Sequence, residues 1–178
     1  MRSATNILLL TMFAALVCGM KSLAQSKAVT SSWSYNGIGI CYEQHIDEKS
    51  FIQVDLRSEL AELFYDRNAP IGVSGAFTWN LIFAQHLSRH GNKIIYFAGP
   101  GATAGWAKDS TSSKGLIFGL KGRIGAECIF ERGLALSVSV APVLGMHASE
   151  RNNTINMRLY RNGLTYGMLP EVGIKYLF

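Results

Sequence analysis

The chain has 178 residues, of which 48% are apolar and only 16% charged, with a formal net charge of +5 and three cysteines. That length suits one domain. The cysteines are too few for a disulfide framework, and no Lys/Arg cluster interleaved with aromatics marks a nucleic-acid face.

Read from the N-terminus, Met1 and Arg2 precede an apolar stretch from Ile7 to Met20 and then the small-residue tripeptide Ser22-Leu23-Ala24. This has the order of a secretory signal peptide, and it is shorter than the ~20 residues a membrane-spanning helix needs. Cleavage is expected after Ala24, so residues 1–24 form the leader and residues 25–178 a single domain. Cys18 follows Val17, where a lipidation site needs a small residue. Cys41 and Cys128 remain in the mature chain, compatible with one bridge but not requiring it.

From there on the apolar residues alternate instead of gathering into helical stripes. Ile38, Ile40 and Tyr42 lead into a turn at His45 to Lys49, after which Ile52, Val54, Leu56 and Leu60 alternate with Gln53, Asp55, Arg57 and Glu59. Val73, Phe77, Trp79, Leu81, Phe83 and Leu87 oppose Ser74, Thr78, Asn80 and His86, and Ser88 to Asn92 turns the chain into Lys93 to Ala107. Leu116, Phe118, Leu120, Ile124, Cys128 and Phe130 share a parity opposite Lys121, Arg123, Glu127 and Glu131. Beyond Glu131-Arg132-Gly133, Leu134, Leu136, Val138, Val140, Leu144 and Met146 oppose Ser137, Ser139, Gly145 and His147. Period two means strands, and several are long enough to cross a bilayer at a tilt and reach water beyond it.

The contents of the two faces identify the solvent. One face is apolar and carries Tyr42, Trp79, Tyr96, Trp106, Phe118 and Phe130; the other carries charges of both signs. A soluble sandwich would bury the first face, whereas a membrane barrel turns it to lipid and places aromatics at the two interfaces. The expected fold is all-β: a transmembrane antiparallel up-and-down β-barrel of eight strands.

Pro170 to Phe178 resembles the C-terminal insertion signal of bacterial outer-membrane barrels, with Glu171, Gly173, Tyr176 and Phe178 at the matching positions. The resemblance implies recognition by the barrel-assembly machinery, with Val172, Ile174, Tyr176 and Phe178 facing lipid and Glu171, Gly173 and Lys175 inside. In architecture the mature chain is similar to small barrels of the OmpA/OmpX type without a periplasmic domain. That resemblance implies residence in the outer membrane, contact with its lipid and lipopolysaccharide, and a monomer.

Seven strands are plain, at about 32–43, 49–63, 71–87, 92–107, 114–131, 133–148 and 163–178. Bacterial barrels have even numbers. The eighth is expected before Trp33, with Ile155 to Arg161 as the alternative. Short turns at 45–49, 88–92 and 131–133 belong to the periplasmic end, and the longer connections 64–71, 108–114 and 147–162 to the outside.

An eight-stranded lumen is just wide enough for side chains. Asp55, Glu59, Glu127 and Glu171 are therefore expected to neutralise Arg57, Lys121, Arg123 and Lys175 in a plugged interior. Gly99, Gly101 and Gly105, with Gly115, Gly119, Gly122 and Gly125, lie inside strands, so they do not form a phosphate-binding loop but make room for bulky interior neighbours or ease curvature. Four histidines, including His86 and His90, lack ligand spacing on a strand, and no metal or cofactor is expected. The candidate catalytic pair is His147 and Ser149, read as loop residues at the outer end of a strand and on one face of it. The pair is similar to the His-x-Ser of the lipid A deacylases. Glu150 stands where that family has asparagine, and His86-Leu87-Ser88 repeats the pattern near a turn. The function expected is a structural or surface-binding barrel with no open pore; the alternative is a hydrolase acting on lipid A at the outer leaflet.

Overall fold

The computed structural model describes residues 27–64, 71–87, 92–108, 114–130, 133–151 and 154–178. The expected signal peptide and its cleavage site lie outside the described residues, as do most of the 88–92 turn and the 108–114 connection. Among the described residues there are ten strands: β1 (Lys27–Ser34), β2 (Gly37–Asp47), β3 (Ser50–Leu60), β4 (Ile71–Leu87), β5 (Lys93–Lys108), β6 (Lys114–Ile129), β7 (Leu134–Val140), β8 (Val143–Arg151), β9 (Thr154–Leu159) and β10 (Glu171–Leu177). Two short helices join them, α1 (Ala61–Phe64) and α2 (Arg161–Gly167).

Every pairing is antiparallel, and the sheet closes. Its order runs β5-β4-β3-β2-β1-β10-β7-β6, and β6 returns to β5. Both β7 and β8 pair with β6, over Ile124–Ile129 and Leu116–Lys121 respectively. They are two halves of one stave, interrupted where Ala141 and Pro142 leave the ladder. Likewise β9 pairs with β8 and β10 with β7, so these make the eighth stave with α2 inserted between them. The result is an eight-stave closed barrel. The ends of the described chain lock it, Lys27 and Phe178 exchanging backbone hydrogen bonds of 3.1 and 2.8 Å.

The staves differ from the sequence expectation in places that have local causes. The segment 32–43 is not one strand. Asn36-Gly37 is a hairpin turn signal, and the chain reverses at Tyr35–Asn36 between β1 and β2. This supplies the eighth stave on the N-terminal side, as expected. Ile155 to Leu159 is also in a strand, so 147–162 is not a long loop: β8 and β9 pair antiparallel as a hairpin. The expected strand over 163–178 begins only at Glu171, because Pro170 offers no amide to a ladder and residues 161–167 coil into α2. At the other end, Lys49 N–H and the Ser50 hydroxyl donate to Asp47 at 2.7 and 2.9 Å, forming the β2–β3 turn and holding that carboxyl below its ordinary range.

Face assignment follows parity with one exception. A bulge at Phe83 puts Ala84 opposite Tyr96 and Gln85 opposite Ile95. Because Ile95 is buried and Tyr96 is not, His86 turns to the outer face and Leu87 to the inner side, the reverse of the simple alternation.

Candidate functional site: the charged lumen and its wall

Burial alternates along each stave, with the polar residues on the buried side. Ile38, Ile40, Leu56, Val73, Phe77, Leu120, Ile124, Leu136, Val172 and Ile174 are exposed, while Glu43, Asp55, Glu59, Lys121, Arg123, Glu127, Glu171 and Lys175 are buried. In water this arrangement would waste the hydrophobic driving force and strand the charges. The molecule is a transmembrane β-barrel.

Its belt has the right height. Tyr96 and Trp106, both exposed, stand ten positions apart on β5. At about 3.3 Å per residue and a tilt near 40°, they are separated by about 25 Å along the membrane normal, the height of the apolar band in such barrels.

Inside, the ionised groups form a stack that crosses several staves. Lys175 Nζ lies 2.7 and 2.8 Å from the two oxygens of Glu43 and also pairs with Glu127. His45 Nε2 approaches the same Glu43 at 3.2 Å, and its ring stacks on Phe51. Lys175 sits over the Phe51 ring and Arg123 over Phe97, with the two rings packed edge to face. Phe97 has the space it needs because position 125 is glycine: a Cβ there would lie 2.8 Å from its ring. Above this layer Arg57 pairs with Glu171, Arg123 comes within 3.7 Å of Glu171 and donates to Ser139 at 3.1 Å, and Lys121 donates to Asp55 at 2.7 Å. Tyr160 donates to Glu59 at the top of the stack.

The expected lumen residues are thus all brought together, and the network has three further members, Glu43, His45 and Tyr160. Glu43 shares the parity of Cys41, opposite Ile40 and Tyr42, so its inward position was readable from alternation. Tyr160 carried no signal, since it lies just after β9 and reaches Glu59 only because α2 bends the chain inward.

A cavity of about 40 Å³ remains between Asp55, Arg57, Glu59, Lys121 and Tyr160. At the end bearing Lys27 and Leu177, an open basin of about 700 Å³ is lined by His45, Asp47, Lys49, Lys93 and Ile95.

The candidate pair is not in a loop. His147 and Ser149 are on β8, face the lumen and are buried. The His147 Nε2 atom lies 3.1 Å from the carbonyl of Ala107 across the wall, and Glu150 is exposed on the opposite face. The solvated-loop expectation for these residues is therefore corrected: strand β8 extends through both. His86 is on the outer face near the end of β4, and His90 lies outside the described residues. Among the described residues no three His, Cys, Asp or Glu side chains gather into a metal-binding group. Cys41 and Cys128 are free, the first inside and the second on the outward parity of β6.

No family model matches the chain, and no curated protein matches it. Two solved structures that match are crystal structures of Ail, the attachment invasion locus protein of Yersinia pestis, one of them in complex with the heparin analogue sucrose octasulfate. Identity is 8% and 9%, the alignments cover 86% of this chain and 95% of the other, and the TM-score is 0.32 in each case. The barrel assignment stands on the strand pairing and the two faces.

Proposed function

We propose that this protein serves in the bacterial outer membrane as a closed, non-conducting barrel whose role is structural or surface-binding. The observation that carries this reading is the ion-paired interior: Lys175, Arg123, Arg57 and Lys121 are each engaged by interior acids, which favours a plugged lumen over an open pore. The barrel's surroundings are membrane lipid and lipopolysaccharide, and its assembly partner is the barrel-assembly machinery, engaged through β10. The end with the tight β2–β3 turn is the periplasmic one, and the β8–β9 hairpin is presented outside. Its exposed Ile155 and Met157 on one face and Arg158 on the other offer a binding surface with no enzymatic demand.

A lipid-A hydrolase would need His147 and Ser149 open to an acyl ester, whereas both are turned inward behind the wall. Mass spectrometry of lipid A from cells producing the wild type or Ser149→Ala tests the assignment. Identical lipid A in both supports a non-catalytic barrel; loss of an acyl chain with the wild type alone overturns it.

A further inference from the structure

The wall is not uniform. Across its outer surface runs a groove of about 860 Å³, floored by Ala98, Pro100 and Gly122 and rimmed by Leu120, Ile124, Leu144, Leu164 and Met168. Three irregularities of the chain meet there. The β4–β5 ladder passes from Leu81–Ala98 to Thr78–Gly101 without pairing Trp79 or Asn80, because Pro100 has no amide to give. On the next wall segment Pro142 interrupts the stave made by β7 and β8. Beside it α2 replaces strand, hung from Ala141 N–H to Gly167 O at 2.8 Å and from Tyr160 N–H to Gly145 O at 2.9 Å. Helix α2 thus separates the groove outside from the small polar cavity inside, which Gly163 and Gly167 border on the inner side of the same helix.

Pro100 lies midway between Tyr96 and Trp106 on β5. The groove therefore opens near the bilayer midplane, where the only abundant occupant is hydrocarbon. It is continuous with the lipid-facing belt and concave where the rest of the belt is ridged by Trp, Phe and Leu. A flexible chain lying in it gains dispersion contacts on three sides that a chain against a convex wall lacks, and an empty groove would forfeit them.

We propose that this groove is a binding site for one acyl chain of a membrane glycerophospholipid, with α2 as one of its walls. The proposal rests on the membrane reading above. Gly122 provides the means to test it. A Cβ at this position would meet only Pro142 Cγ, at 3.9 Å, so a larger side chain projects into the groove without disturbing the ladder.

The test uses protein refolded into vesicles of phosphatidylethanolamine and phosphatidylglycerol, transferred to detergent and weighed intact by native mass spectrometry. The wild type retains one phospholipid per barrel. Gly122→Leu and, from the opposite bank, Ala98→Phe retain at least tenfold less, while Ala104→Leu, on the same outward face but outside the groove, retains as much as the wild type. Heat-modifiable mobility of each sample reports insertion separately: failure of the wild type to insert sinks the membrane reading itself. An inserted wild type without bound phospholipid, retention undiminished in both groove variants, retention only when lipopolysaccharide is added, or a dimer of barrels in place of the lipid adduct would each overturn the groove proposal.

Discussion

Lys175 on β10 reaches across β1 to Glu43 on β2, placing its ammonium 2.7 and 2.8 Å from the two carboxylate oxygens. The closing stave is thereby bonded to a stave that is not its neighbour in the sheet. Glu127 completes the same contact from β6.

Lys175→Met leaves two buried carboxylates without their shared cation. Removing one partner of a buried pair costs about 3–5 kcal/mol. Urea unfolding of barrels in lipid vesicles should show a loss of that order, and the triple change Lys175→Met with Glu43→Gln and Glu127→Gln should recover much of it. Equal stability of the wild type and Lys175→Met would show that the cluster is not held as described.

Leu120 and Leu134 are both exposed on the outer face, at 69% and 48%. Their positions differ: Leu120 is mid-strand in the belt, while Leu134 opens β7 opposite Tyr176 near the end of the closing stave. Arginine at the bilayer midplane costs about 2–4 kcal/mol and about 0–1 near an interface. Refolding titrations should therefore penalise Leu120→Arg heavily and Leu134→Arg scarcely.

Much of this was readable from alternation. The outward Leu116, Phe118 and Leu120 and the inward Lys121 and Arg123 follow period two directly, and the same period places the acids that pair with them in the lumen. Three features escaped it. A bulge shifts parity by one residue and is set by backbone geometry at Phe83, so His86 was placed on the wrong face. Helix α2 is seven residues with Gly163 and Gly167 inside it, too short and too poor in helix formers to stand out, and Leu164 and Tyr166 fit a strand equally well. His147 and Ser149 read as loop residues because the polar run from His147 to Asn153 has the look of a strand ending. The alternation of Ile155, Met157 and Leu159 was the signal that a partner strand existed for them.

Tyr160 anchors α2 to the opposite wall through 3.1 and 3.3 Å contacts with Glu59. Tyr160→Phe removes that donor from a buried carboxylate, a cost of about 1–3 kcal/mol. Because Arg161 is exposed at the start of α2, the loosening should appear as faster trypsin cleavage there, by roughly tenfold for each 1.4 kcal/mol. Unchanged cleavage would mean the helix is held by its backbone contacts and the stacking of Tyr166 on Tyr35.

Tyr176 and Phe178 are exposed on the outer face of β10, with stacked rings 6.3 Å apart. Replacing both with Ser removes the apolar end of the closing stave. Fractionated cells should then yield a protease-sensitive periplasmic chain in place of a heat-modifiable outer-membrane form. Normal assembly of the double variant would remove these residues from the insertion signal.

The central claim is a membrane-spanning barrel with a lumen sealed by its own ion pairs, and electrical recording across a planar bilayer tests it most directly. Wild-type protein, inserted as verified by its heat-modifiable mobility, should show no steady ohmic conductance across the pH range in which the interior carboxylates stay paired. A stable unitary conductance from the wild type would contradict the account, which has the ion-paired stack from Glu43 to Glu59 closing the lumen.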